Sequence, residues 1–107
     1  MSNISHATSK NFDTDVLEAS KEKPVLVDFY ADWCGPCKRL APLLEEVSNT
    51  RTDVQFVKVN VDDARDIATR YGIRSIPTMI LFKDGVKGNT IQGSDKSAIN
   101  RALLLND

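Results

Sequence analysis

The sequence has 107 residues, room for one domain (residues 1–107) and little more, and its 41% hydrophobic content excludes a generally disordered chain. Against 14 Lys and Arg stand 15 Asp and Glu, a net charge of -1, so no field of one sign points to nucleic acid as a ligand. The two cysteines lie three positions apart, which excludes a disulfide scaffold, because a bridge from Cys34 to Cys37 closes almost no loop.

Residues 1–11 are polar, without an apolar segment or a small-residue cleavage pattern. No apolar run approaches the roughly 18 residues of a membrane span. The expectation is a cytoplasmic protein with no membrane association, where a stable disulfide is unusual and a redox-active pair is not.

In chain order, residues 4–7 read as a short edge strand. Thr8 or Ser9 is placed to cap a helix running to about Ala19, with Phe12, Val16 and Leu17 facing inward. Residues 25–30 are apolar on both faces except at Asp28, the pattern of a central strand covered on both sides. A helical pattern follows Cys34, with Leu40, Leu43, Leu44 and Val47 at three- and four-residue spacing and Pro42 inside it, where a bend is expected. Residues 54–61 read as a strand, 62–71 as a short helix ended by Gly72, and 78–82 as another strand. Lys83-Asp84-Gly85 signals a hairpin, with residues 88–92 returning antiparallel. Asp95 or Ser94 then caps a last helix carrying Ile99, Ala102, Leu103 and Leu104, and residues 103–105 read as core plus helix end. Early alternation of strand and helix with a late hairpin gives an α/β domain with a mixed sheet and helices on both faces.

Thiols at i and i+3 on the first turn of a helix share a face, with Cα atoms about 5 to 6 Å apart, the natural span of a disulfide. At the helix N-terminus Cys34 meets unpaired N–H groups and the positive end of the dipole, which favour its thiolate. One turn further in, Cys37 is expected to be more buried and protonated at rest. Cys34 then attacks a substrate disulfide, and Cys37 resolves the mixed disulfide by a fast intramolecular step. The resolving step needs a proton acceptor. Asp28 is the candidate, because burial in an apolar strand raises a carboxyl pKa toward the working pH, with Lys58 tempering the shift. The alternative is that Asp28 faces solvent or serves as a structural hydrogen-bond partner.

The string Trp33-Cys34-Gly35-Pro36-Cys37-Lys38, after a strand and before a helix, resembles the active-site sequence of the thioredoxin family in every position. Asp28, Lys58, Pro42, Ile76-Pro77-Thr78, Gly85 and Gly93 also stand where that family has its buried aspartate, neighbouring lysine, helix proline, cis-proline loop and late glycines. The resemblance implies a five-stranded mixed sheet flanked by four helices and a cis Ile76–Pro77 bond. It implies a substrate groove of Trp33, Gly35, Pro36, Val61, Ser75, Ile76, Pro77 and Gly93, which would take an extended segment by strand addition. It also implies a protein-disulfide reductase without a bound cofactor, a monomer that maintains cell redox homeostasis. Its electrons would come from NADPH through a flavoprotein thioredoxin reductase. Its targets would be of the ribonucleotide reductase, peroxiredoxin and methionine sulfoxide reductase classes. At Gly35-Pro36 the resemblance implies a reductant, since strongly oxidising relatives usually carry a histidine between the cysteines; representative potentials are on the order of -270 mV for the family and -120 mV for periplasmic oxidases.

Some positions depart from the best-known bacterial pattern. Ser75 replaces a glycine, Gln92 a small apolar residue and Ser94 an alanine, which makes the groove rim more polar. Tyr30 stands where many members have a second tryptophan, leaving Trp33 as the one indole. His6, the one histidine, reads as an uninvolved surface or strand residue, and Lys38 and Arg39 as a solvated face. Two cysteines and a distant histidine cannot complete a four-ligand zinc set within one chain. A binding module using the same groove, and an oxidase or isomerase on the same fold, are the other readings.

Overall fold

The computed structural model describes residues 3–104. Its sheet has the order β1-β3-β2-β4-β5. The strands are β1 (Ile4–His6), β2 (Val25–Tyr30), β3 (Gln55–Asn60), β4 (Thr78–Lys83) and β5 (Val86–Gln92). β1 and β2 both run parallel to β3, whereas β4 is antiparallel to β2 and β5 to β4. Four helical segments flank this sheet. The first is Asp13–Glu18, closing in a 3-10 turn over Ala19–Lys21. The others are α1 (Gly35–Thr50), α2 (Arg65–Arg70) and α3 (Lys96–Ala102). No helix among the described residues is long and apolar enough to cross a membrane.

The period-two alternation of β2 divides the core. Val25, Val27 and Phe29 join Phe12, Val16, Val57, Ile67 and Phe82 on one face. Leu26 joins Leu40, Leu44, Phe56, Met79 and Ile99 on the other, under α1 and α3. Asp28 shares the parity of Leu26 and therefore points to the α1 side. In α1 the three- and four-residue spacing buries Cys37, Leu40, Leu44 and Val47, and the helix continues through Pro42.

Several element boundaries differ from the sequence reading. The first helix was expected to start at Thr8 or Ser9. Instead Thr8 N donates to Asn11 Oδ1 at 2.6 Å, which closes a turn over residues 8–11 before the helical segment. That segment has a wide-turn bond from Ala19 N to Thr14 O, so its pitch is not regular. α2 begins three residues later than expected, because Asn60 gathers the chain into a turn. Its Oδ1 accepts from Asp62 N, and its carbonyl accepts from Asp63 N and Ala64 N. Gly72 ends α2 at φ 64°, as the sequence indicates.

The Asp84-Gly85 turn has φ of 55° and 80°, the positive pair that a two-residue hairpin requires. β5 starts at Val86 rather than at residue 88, and its pairing with β4 shifts between Ile80 and Phe82. Gly88 allows that irregularity, since a Cβ there would stand 2.8 Å from Leu81 O. α3 is capped by Asp95, whose side chain accepts from Ala98 N at 2.8 Å. It ends at Ala102, so Leu103 packs below it as expected, but Leu104 is 62% exposed rather than core. Leu105 lies outside the described residues.

Candidate functional site

α1 starts immediately beyond the C-terminal end of β2, and Cys34 is its N-cap residue in an extended conformation. The Cys34 side chain therefore faces the open N–H groups of the first turn. Cys37 N donates to Cys34 Sγ at 3.2 Å. Cys34 and Cys37 form a disulfide with Cα atoms 5.2 Å apart. On reduction, a thiolate at Cys34 would keep that donor and gain from the helix dipole.

The expected difference in exposure between the two cysteines is absent: each is 3% exposed. Both pack with Ala31 against Tyr30 at the end of β2 and against Val61 and Ile76 from two distant loops, and the cover from those loops is invisible in the local sequence. The asymmetry is instead one of contacts. Cys34 Sγ lies 3.8 Å from Ile76 O, at the cis Ile76–Pro77 bond. Cys37 lines a cleft of about 150 Å³ with Tyr30, Asp32, Lys38 and Lys58.

The other residues expected in the groove are placed as follows. Trp33 is 70% exposed, and its indole N–H donates to Asp62 Oδ2 at 2.9 Å. Gly35, Pro36 and Ser75 are exposed, while Val61, Ile76 and Gly93 are half-buried. Pro77 itself is buried, so its contribution to the rim is the backbone path it fixes. Thr78 pairs with Gln92, which brings Gly93 beside the proline loop. Gly93 has φ 140°, and a Cβ there would stand 2.9 Å from Ala98 Cβ. Asp62, the partner of the exposed indole, was missed by sequence reasoning; no local pattern marks it.

On the α1 face of β2, Asp28 is 0% exposed, and neither carboxylate oxygen has a protein hydrogen-bond partner among the described residues. It therefore does not face solvent. Burial pushes its pKa from 3.8 up to about 6, against the opposing attraction of Lys58. Lys58 is the register neighbour of Asp28 on β3 and lines the same cleft as Cys37. The sheet register joins the Asp28 carboxylate to the Lys58 ammonium, and the cleft joins Lys58 to Cys37.

The thioredoxin family profile matches residues 3–104. This chain belongs to the thioredoxin family. It is 47% identical to thioredoxin 1 of Synechococcus elongatus, over 88% of this chain and 87% of that one. It is 50% identical to thioredoxin of Mycobacterium bovis, over 90% and 83%. The crystal structure of Malassezia sympodialis thioredoxin (Mala s 13) superposes with a TM-score of 0.84 at 38% identity, covering 95% of this chain and 89% of that one. Like its thioredoxin relatives, the chain is a protein-disulfide oxidoreductase, and its cysteine pair performs thiol–disulfide exchange.

The one indole reports on this site. Trp33 adjoins the bridge, and a disulfide quenches a neighbouring indole, so complete reduction is expected to change the emission of Trp33. Fluorescence before and after dithiothreitol measures it; an unchanged spectrum would count against an indole beside the redox centre.

Proposed function

We propose that this thioredoxin-family chain is a general protein-disulfide reductase, one domain over residues 1–107, monomeric and cytoplasmic. The N-cap position of Cys34, with Cys37 N donating to its sulfur at 3.2 Å, is the observation that supports this most directly. The Cys34 thiolate attacks a substrate disulfide and displaces one substrate thiolate. Cys37 loses its proton to Asp28 and attacks Cys34 Sγ, which releases the second substrate thiolate. Two electrons pass to the substrate and the Cys34–Cys37 bond forms. Lys58 supports Asp28 electrostatically. Trp33, Gly35, Pro36, Val61, Ser75, Ile76, Pro77 and Gly93 shape the contact with an extended substrate segment.

No bound cofactor is required, because the electrons sit on the two sulfurs. Recharging falls to a flavoprotein thioredoxin reductase drawing on NADPH. That places the chain in electron transport toward ribonucleotide reductase, peroxiredoxin and methionine sulfoxide reductase classes. The test is insulin-disulfide reduction in the presence of such a reductase and NADPH. NADPH oxidation that depends on both this protein and insulin is expected. Insulin reduction no faster than in the protein's absence overturns the proposal.

A further inference from the structure

The strand parities that turn Asp28 toward α1 gather a row of polar side chains on the same face. His6 on β1 aligns with Lys58 on β3, and Lys58 aligns with Asp28 on β2. Tyr30, two residues beyond Asp28, shares its face. The Lys58 ammonium lies 4.2 Å from the centroid of the Tyr30 ring. His6 meets the same ring edge-on, with centroids 6.3 Å apart and planes at 71°. Lys58 makes no ion pair within 4.0 Å of Asp28 among the described residues, and both Asp28 oxygens stay unpartnered. The ammonium is seated on an aromatic face, near the carboxyl but not on it.

We propose that Tyr30 is a positioning residue: its ring holds the Lys58 ammonium where it attracts the buried Asp28 carboxylate without pairing with it. A cation over an aromatic face is held by the ring quadrupole. The groups facing Lys58 are His6 from β1, Asp28 and Tyr30 from β2, Cys37 and Lys38 from α1, and Asp32 from the loop between β2 and α1. Of these, the ring is the one seen in contact with the ammonium. Burial raises the Tyr30 hydroxyl pKa, with Asp32 adding to it, so the ring stays neutral. Without the ring, the flexible lysine stem lets the ammonium move out along the open cleft into water. Entering the buried site of Asp28 would cost it much of its hydration. The carboxylate then loses part of its attraction and titrates at higher pH.

The inference rests on Asp28 as the proton acceptor only for its meaning in the cycle; the titration itself does not depend on that role. The experiment is an NMR titration of the Asp28 carboxyl carbon in the reduced protein. It compares wild type, Tyr30→Phe, Tyr30→Leu, Lys58→Met and the Tyr30→Leu/Lys58→Met double variant. Tyr30→Leu is expected to raise the midpoint by about half a pH unit or less, and by no more than Lys58→Met raises it, since at most the whole attraction of Lys58 is lost. Tyr30→Phe keeps the ring and is expected to keep the wild-type midpoint. In the Lys58→Met background the Tyr30→Leu change is expected to vanish. A midpoint lowered or unmoved in Tyr30→Leu overturns the proposal, as does a shift that persists at full size without Lys58. Tyr30→Met, which fills the half-buried site without a ring, serves the same comparison if the leucine variant does not fold. If Asp28 titrates as expected while Asp28→Asn leaves the resolving step intact, the catalytic reading fails and the positioning of Lys58 stands.

Discussion

Cys34→Ser is expected to abolish disulfide reduction, with a loss on the order of a thousandfold or more, because a serine hydroxyl at the helix N-cap does not ionise at working pH and cannot attack a disulfide. Cys37→Ser is expected to fail differently. The Cys34 thiolate still attacks, but nothing within the molecule can displace the substrate, and a covalent adduct accumulates. The distinction follows from the two positions at the start of α1, Cys34 as its N-cap and Cys37 in its first turn. Cys34 Sγ receives the amide N–H of Cys37 and lies beside the Ile76 carbonyl, while Cys37 sits on the cleft side. Cα atoms 5.2 Å apart make the resolving attack intramolecular, which gives it an advantage on the order of 10⁵ M or more in effective concentration. Intact-mass analysis after mixing each variant with a disulfide substrate separates the cases. An adduct on Cys34→Ser, or none on Cys37→Ser, would reverse the assigned roles.

Asp28→Asn is expected to make the fold more stable and the resolving step slower. The stability effect follows from proton linkage. The carboxyl titrates near 6 in the folded chain and near 3.8 when ordinarily solvated. Below the lower value both states carry the proton and burial costs nothing extra. Between the two values the folded state keeps a proton that the unfolded state has released, so stability falls as pH rises. Above about 6 the loss is complete, at about 3 kcal/mol for a shift of this size. Asp28→Asn removes the ionisation, so its advantage is expected to be up to about 3 kcal/mol at pH 8 and to disappear near pH 3.5. Urea unfolding at the two pH values measures it, and equal stabilisation at both would contradict a buried ionised carboxylate.

In the proposed cycle, removing the same carboxylate removes the acceptor for the Cys37 proton. Decay of the mixed disulfide is expected to slow by about 10²-fold at pH 7, the usual scale for a positioned general base. In the wild type that rate is expected to rise through pH 6, a rise absent from the variant. Stopped-flow following of mixed-disulfide decay reads both. A variant more stable at pH 8 but unchanged in decay would leave Asp28 as a cost of the fold without a catalytic role.

The features legible in the sequence are those written over a few consecutive residues. The i, i+3 cysteines on a helix start, the apolar run broken by Asp28, the Asp84-Gly85 turn and the Gly72 helix stop each depend on side-chain spacing or local backbone preference. The reading slipped where a side chain or a helix end reshaped the adjoining backbone, and where distant segments packed together. Asn60 captured the amides of residues 62–64 and delayed α2, and the end of α3 at Ala102 left Leu104 outside the core. The cysteines lost their expected difference in exposure because Tyr30, Val61 and Ile76 cover both.

By itself the sequence determined the redox pair, the strand that carries the buried acid and the order of elements that places one next to the other, since periodicity and capping act along the chain. Only the tertiary structure decided that both Asp28 oxygens lack a protein partner among the described residues, that Lys58 rests on the Tyr30 ring, and that Ile76 O reaches Cys34 and Asp62 the Trp33 indole. The contacts among them join residues about 30 to 40 positions apart in the chain, and only the sheet register and the packing of α1 above it bring such distant residues within a few ångströms.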